Sequence, residues 1–243
     1  MTLFITSSPY VCDADRPILS PANGFVEDLA AHLPPYPRAL FVASDPFDRD
    51  NTCRWGADTA MAFAEAGLAF RSYHVLDGYN GHEAALLVEN SDLIVLAGGH
   101  VPTQNAFFRD IGLAELMADY GGVVMGISAG SMNLARDVYV QPEEPGESLP
   151  DFVRFQPGLG LTDVNILPHY QKVKDNILDG KRLFEDVVYP DSLGRSFYAL
   201  TDGSYIRQEN GVQILCGEAR RLKNGILELL TLEGEQLDLA ILR

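Results

Sequence analysis

Cysteine is scarce in this chain: Cys12, Cys53 and Cys216 are the only three in 243 residues, widely spaced and without a C-x-x-C pair. An odd, dispersed set supplies neither a disulfide framework nor a zinc pattern, so the three read as reduced thiols. No apolar run approaches the roughly 20 residues of a membrane-spanning helix, so no membrane partner is expected. The opening residues, MTLFITSSPYVC, lack the basic stretch of a secretory signal, and a cytoplasmic location is the expectation. Positive charge is also in short supply. Lys and Arg number 18 against 34 Asp and Glu, a formal net charge of −16. Such a surface repels phosphates, which argues against a nucleic-acid partner. Internal repeats and low-complexity segments are absent.

Core-forming material is plentiful, with 47% hydrophobic and 21% charged residues. Those are ordinary globular values, and the length suits a single α/β domain over residues 1–243. The most informative stretch is GGVVMGISAGSMNLAR, residues 121–136. Val123, Val124 and Met125 form the apolar run of a strand buried on both faces. Gly126-Ile127-Ser128-Ala129-Gly130 follows and fits G-x-S-x-G, a serine on a sharp strand-to-helix turn. The flanking glycines permit a turn where a Cβ would clash, and the helix start behind Ser128 offers free N–H groups to an oxyanion. Ser128 is therefore the candidate nucleophile.

Ahead of it, apolar strands are expected at 3–7, 39–43, 70–76 and 92–99, alternating with helices at 24–33, 55–67, 82–90 and 103–120. This alternation implies a doubly wound, mainly parallel sheet flanked by helices. Beyond the motif, 139–150 reads as a polar loop, 158–169 as a strand and 173–188 as a helix. From Ser196 onward, turn dipeptides at Asp202-Gly203, Asn210-Gly211 and Asn224-Gly225 predict a C-terminal antiparallel β-hairpin extension on the sheet edge.

A serine nucleophile needs a base. Of the five histidines, His32, His74 and His82 fall within expected helices or strands, and His169 is the only one after Ser128. It lies where a strand runs out into a loop, and carboxyl ends of strands form the active edge of an open α/β sheet. Candidates for a carboxylate to orient the ring are Glu143 first, with Glu144 and Asp202 as alternatives. The backbone N–H groups of Gly98, Gly99 and Ala129 are the expected oxyanion donors.

Taken together, GISAGS at 126–131, the strand ending in Gly98 and Gly99, and NILPHY at 165–170 resemble the aspartyl dipeptidase (peptidase E) and cyanophycinase family of serine peptidases. The likeness runs from the early strands through ALTDGS at 199–204. It implies a fold similar to class I glutamine amidotransferases, with serine in place of their cysteine. Those enzymes carry a glutamate two positions after the histidine; here Gln171 stands there, which argues against glutamine hydrolysis. The resemblance also places an acid between serine and histidine, near Glu143 or Glu144. Where aspartyl dipeptidase has a short Asn-containing segment after the glycine pair, this chain has HVPTQN, so His100, Gln104 and Asn105 are the expected substrate-binding residues. Arg109, Arg136 and Lys172 are candidate cations for an acidic substrate.

The expected activity is hydrolysis of an amide bond in a small peptide, without metal or cofactor, by a monomer or homodimer. Two rival readings are an α/β-hydrolase-type esterase, which a helical tail after His169 would favour, and a catalytically silent small-molecule or peptide binding protein of the same fold.

Overall fold

Buried strands with no polar face organise the molecule. In this computed structural model, which describes residues 1–11 and 16–242, every residue of β1 (Thr2–Thr6) is buried. The same is nearly true of β2 (Arg38–Val42), and fully true of β4 (Leu93–Leu96) and β5 (Val123–Ile127). Of these five strands only β3 (Ser72–Leu76), at the edge, is mostly half-buried. Strands buried on both faces need cover on both, and successive side chains go to opposite sides. Leu3, Ile5, Leu40, Val42, Ile94, Leu96 and Val124 enter one core with α3 (Ala84–Glu89), α4 (Val101–Asp110) and α5 (Leu113–Met117). Phe4, Ala39, Phe41, Leu93, Val95, Val123 and Met125 enter the other, against α1 (Phe25–Ala31) and α2 (Arg49–Glu65).

The strands β1, β5, β4, β2 and β3 lie side by side in that order, all parallel. After the short helix α6 (Ala129–Met132) come β6 (Asp137–Tyr139), β7 (Phe155–Pro157), β8 (Asn165–Leu167) and α7 (Tyr170–Val173). The two-residue strands β9 (Ile177–Leu178) and β10 (Lys181–Arg182) precede a π-helical segment (Leu183–Val188) and α8 (Tyr189–Asp191). The chain finishes with β11 (Ser196–Leu200), β12 (Tyr205–Glu209), β13 (Val212–Cys216), β14 (Ala219–Lys223), β15 (Ile226–Thr231) and β16 (Gln236–Asp238).

This last part divides between two sheets instead of lying on one edge. Strand β12 pairs antiparallel with β1, and β13 and β16 extend the main sheet to eight strands. A second sheet has the order β15-β14-β11-β8, with β11 and β8 parallel. It packs through Phe197, Ala199 and Leu222 on the 183–188 segment, and Tyr139 stacks on Phe197 with ring centroids 4.4 Å apart.

Three expectations shift. The helix expected from residue 103 to 120 is cut in two by Gly112, whose φ of 63° ends the first helical stretch. Helix α2 begins six residues before the expected 55, because Asp48 caps it by accepting the Asn51 N–H at 3.3 Å. Its first turns are polar and, Thr52 apart, exposed, so hydrophobic periodicity could not mark them. The helix expected over 173–188 is interrupted by Asp179 and Gly180, both at positive φ, which turn the chain between β9 and β10. Cys12 lies outside the described residues; Cys53 and Cys216 are free thiols. Among the described residues no helix is long and apolar enough to cross a membrane.

Candidate active site

Strand β5 delivers Ser128 onto a turn with φ 50° and ψ −109°, a conformation seldom adopted by a non-glycine residue. The surroundings dictate the two glycines. A Cβ on Gly126 would fall 2.5 Å from the Ser131 backbone, and one on Gly130 2.3 Å from the Leu96 carbonyl oxygen. Ser131 then locks α6 to β1: its hydroxyl donates to the Thr6 carbonyl and accepts the Thr6 N–H, both at 2.8 Å. The Ser128 N–H donates to the Ser7 carbonyl at 3.0 Å. The turn is held from both sides.

His169 follows β8 and is itself left-handed, with φ 56°. Its Nε2 lies 3.0 Å from Ser128 Oγ, and its Nδ1 lies 2.6 Å from Asp202 Oδ1. Asp202 follows β11, in the turn with Gly203. An ionised carboxylate only accepts, so Nδ1 carries the proton and Nε2 is left to accept from the serine hydroxyl. The Asp202 side chain is 1% exposed, with Lys172 Nζ 2.8 Å from Oδ2. Burial alone would push its pKa up. Hydrogen bonds from His169, Lys172 and Ser7 outweigh that and hold the carboxyl well below the usual range.

Ser7, at the carboxyl end of β1, connects these parts. Its buried hydroxyl accepts the His169 backbone N–H at 2.8 Å and donates to Asp202 Oδ1 at 2.9 Å. Gln171 Oε1 accepts the Asp202 N–H at 3.2 Å. Sequence reasoning missed Ser7; its signal was the end of the strand that pairs with the serine strand. The site thus gathers the carboxyl ends of β1, β4, β5, β8 and β11, drawn from both sheets.

Gly98 and Gly99, after β4, line a cavity of about 540 Å³ together with Ser128 and His169. A Cβ on Gly98 would stand 3.6 Å from that of Ser128, so this backbone adjoins the serine. Gly99, at φ 154°, passes so close to Ser44 that a Cβ would fall 2.5 Å from its hydroxyl. Ala129 is buried directly behind the serine.

Glu143, the first choice for the orienting acid, is not on the His169 ring; Asp202, an alternative, is. The reason lies in Glu147, whose Oε2 accepts the N–H groups of Glu143 and Glu144 at 2.8 and 3.0 Å. Its Oε1 meets His100 Nε2 at 2.9 Å, which ties this segment to the start of α4. Two backbone hydrogen bonds and the histidine hold the Glu147 carboxyl below its ordinary range despite burial. Residues 139–150 are thus less solvated than their charge implies, with Gln141, Glu147 and Ser148 buried.

The residues expected to bind substrate sit apart from the serine cavity. Helix α4 starts at Val101, which turns Gln104 and Asn105 inward, where both are buried. Gln104 donates to the Ala97 carbonyl and accepts from Asn133, and Asn105 donates to Asn133 and the Pro157 carbonyl. Both His100 nitrogens are engaged, by Thr103 and Glu147. None of the three lines the serine cavity. They brace the loop that carries the glycines. Arg109, Arg136 and Lys172 are likewise absent from its lining. Tyr10, Ser44, Asp45, Asp48, Asn51 and Trp55, none singled out from sequence, line it instead. His100, Glu144 and Glu147 bring potential metal-ligand atoms within 4.8 Å of one another, although His100 and Glu147 already bond to each other.

The model of peptidase family S51 matches residues 3–215. No curated protein matches the chain. Among solved structures, the chain is similar to a "putative peptidase E protein" from Listeria monocytogenes EGD-e, crystallised at 1.5 Å. The TM-score is 0.61 at 16% identity, over 95% of this chain and 98% of that one, a likeness of fold.

Proposed function

The chain belongs to peptidase family S51 and is a serine-type peptidase, and on that premise we propose that Ser128, His169 and Asp202 form its catalytic triad for small peptides. The observation that carries this reading is the unbroken relay from Ser128 Oγ through the His169 ring, at 3.0 and 2.6 Å, to Asp202. Ser128 attacks the scissile carbonyl while His169 Nε2 takes its proton. Asp202 holds the tautomer and stabilises the imidazolium that forms. The N–H groups of Ala129 and of the Gly98–Gly99 loop receive the tetrahedral oxyanion. Collapse expels the leaving amine, protonated by His169, and water activated by the same ring releases the acyl group.

A cavity of about 540 Å³ suits one or two residues of a peptide and supports a short substrate. The strands after Ser196 offer no helical tail in support of an α/β-hydrolase esterase. Strands β12, β13 and β16 complete the main sheet, which supports one domain across the chain. Free Cys53 and Cys216 support a reducing, cytoplasmic setting. The test is hydrolysis of a dipeptide panel by wild type and Ser128→Ala side by side. Wild type should cleave at least one member, and the variant should lose about 10⁴-fold or more in kcat. Equal cleavage by both would remove Ser128 from the chemistry.

A further inference from the structure

Two cavities meet at Ser128 and His169, one of about 540 Å³ and one of about 90 Å³. Glu143 lines both, and Asp45 and Asp48 add two more carboxylates to the larger. Among the described residues no Lys or Arg lines either cavity. Arg54, on α2, donates to Asn51 and lies over the Trp55 ring instead. Desolvation at the cavity, with the charges of Glu147 and Glu144 nearby, holds the Glu143 carboxyl above its ordinary range against the opposing pull of His100. A carboxylate so placed gains from a cation brought to it.

The smaller cavity carries a second, independent sign. Gln141 lines it and is only 8% exposed, yet its Oε1 accepts no hydrogen bond. Buried polar groups are almost always paired, so an unpartnered amide oxygen in a cavity that Ser128 also lines offers an acceptor to a ligand. Beside hydroxyl and amide groups such as Tyr10, Asn51 and Asn176, the described lining brings three carboxylates and the unpaired Gln141 oxygen, and no Lys or Arg to neutralise an anion.

We propose that this site recognises its substrate by a positive charge beside the scissile bond, a primary ammonium or guanidinium, with Glu143 as the counter-charge, and that it disfavours aspartate there. The inference rests on the serine-peptidase reading and deepens it. Glu143 thereby passes from candidate triad acid to specificity residue. The cation has two possible sources, the α-ammonium of a free N-terminus or a Lys or Arg side chain.

The test is calorimetric binding to Ser128→Ala, which removes turnover from the readout. Four amidated dipeptides are compared: Leu-Leu, acetyl-Leu-Leu, acetyl-Lys-Leu and acetyl-Asp-Leu. Free against acetylated Leu-Leu reads the α-ammonium; acetyl-Lys against acetyl-Leu reads the side chain. At least one cationic member should bind tenfold or more tightly than acetyl-Leu-Leu, and acetyl-Asp-Leu should bind weakest. Adding Glu143→Gln should cut the advantage below threefold, and adding Glu143→Lys should turn it toward acetyl-Asp-Leu. Thermal melts check that both double variants fold.

The proposal is overturned if no cationic peptide gains over the neutral one, if none binds, or if the advantage survives both substitutions. Wild-type hydrolysis of the same four peptides is scored separately. A charge preference in binding without any hydrolysis would sink the peptidase reading and leave the cation site standing.

Discussion

The serine arm and the histidine–aspartate arm of this site are built by different means. Ser128 is placed by one contiguous strand-turn-helix whose shape is enforced by contact: Gly126 and Gly130 sit where any Cβ would strike backbone. His169 and Asp202 come from separate loops after β8 and β11, and hydrogen bonds join them to each other and to Ser7 at the far end of the chain. Steric placement leaves a motif in the sequence. Placement by hydrogen bonds between distant segments leaves single polar residues that look like any others.

If this contrast is right, damage to the two arms should differ in kind. Asp202→Asn should keep the fold and lower kcat by about 10³- to 10⁴-fold with a smaller change in KM, because the ring loses its tautomer control. The same variant sharpens the point through pH. A carboxyl whose folded value is depressed stabilises the protein above its unfolded value and withdraws that stability as pH falls. The stability deficit of Asp202→Asn in denaturant melts should therefore be full at neutral pH and narrow below about pH 4.

Next in size is the serine arm. Gly130→Ala should cost about 3 kcal/mol or more in urea unfolding, since its Cβ meets the Leu96 carbonyl oxygen and the backbone must shift. The smallest effect belongs to Ser7→Ala, with an expected tenfold fall in kcat, partly restored in Ser7→Thr. It removes one donor to Asp202 and one acceptor for the His169 N–H, so about 1–3 kcal/mol is at stake. A Ser7→Ala enzyme with wild-type kcat would show that the ring needs no such tether.

The same contrast explains what was legible beforehand. Strands β1, β2, β4 and β5 announced themselves as apolar runs and β3 as a looser alternation, and the motif around Ser128 marked the strand-to-helix turn. His169 was reachable because it alone among the histidines follows the serine at a strand end. Asp202 was visible only as one of three acids, since nothing in its neighbourhood records that β11 runs parallel to β8 and carries it beside the ring. Gln104 and Asn105 make a related point. The resemblance put them in the segment after the glycine pair that is expected to bind substrate, and the register of α4 turns them inward to amide and carbonyl partners. Their neighbour Asn133 also comes from a distant segment.

The most direct measurement is the rate at which a fluorophosphonate labels the protein, with the modified residue identified by mass spectrometry. Wild type should be labelled at Ser128 alone, and Asp202→Asn and His169→Ala should each be labelled at least 100-fold more slowly. Labelling at another residue, or an unchanged rate in Asp202→Asn, would contradict the triad.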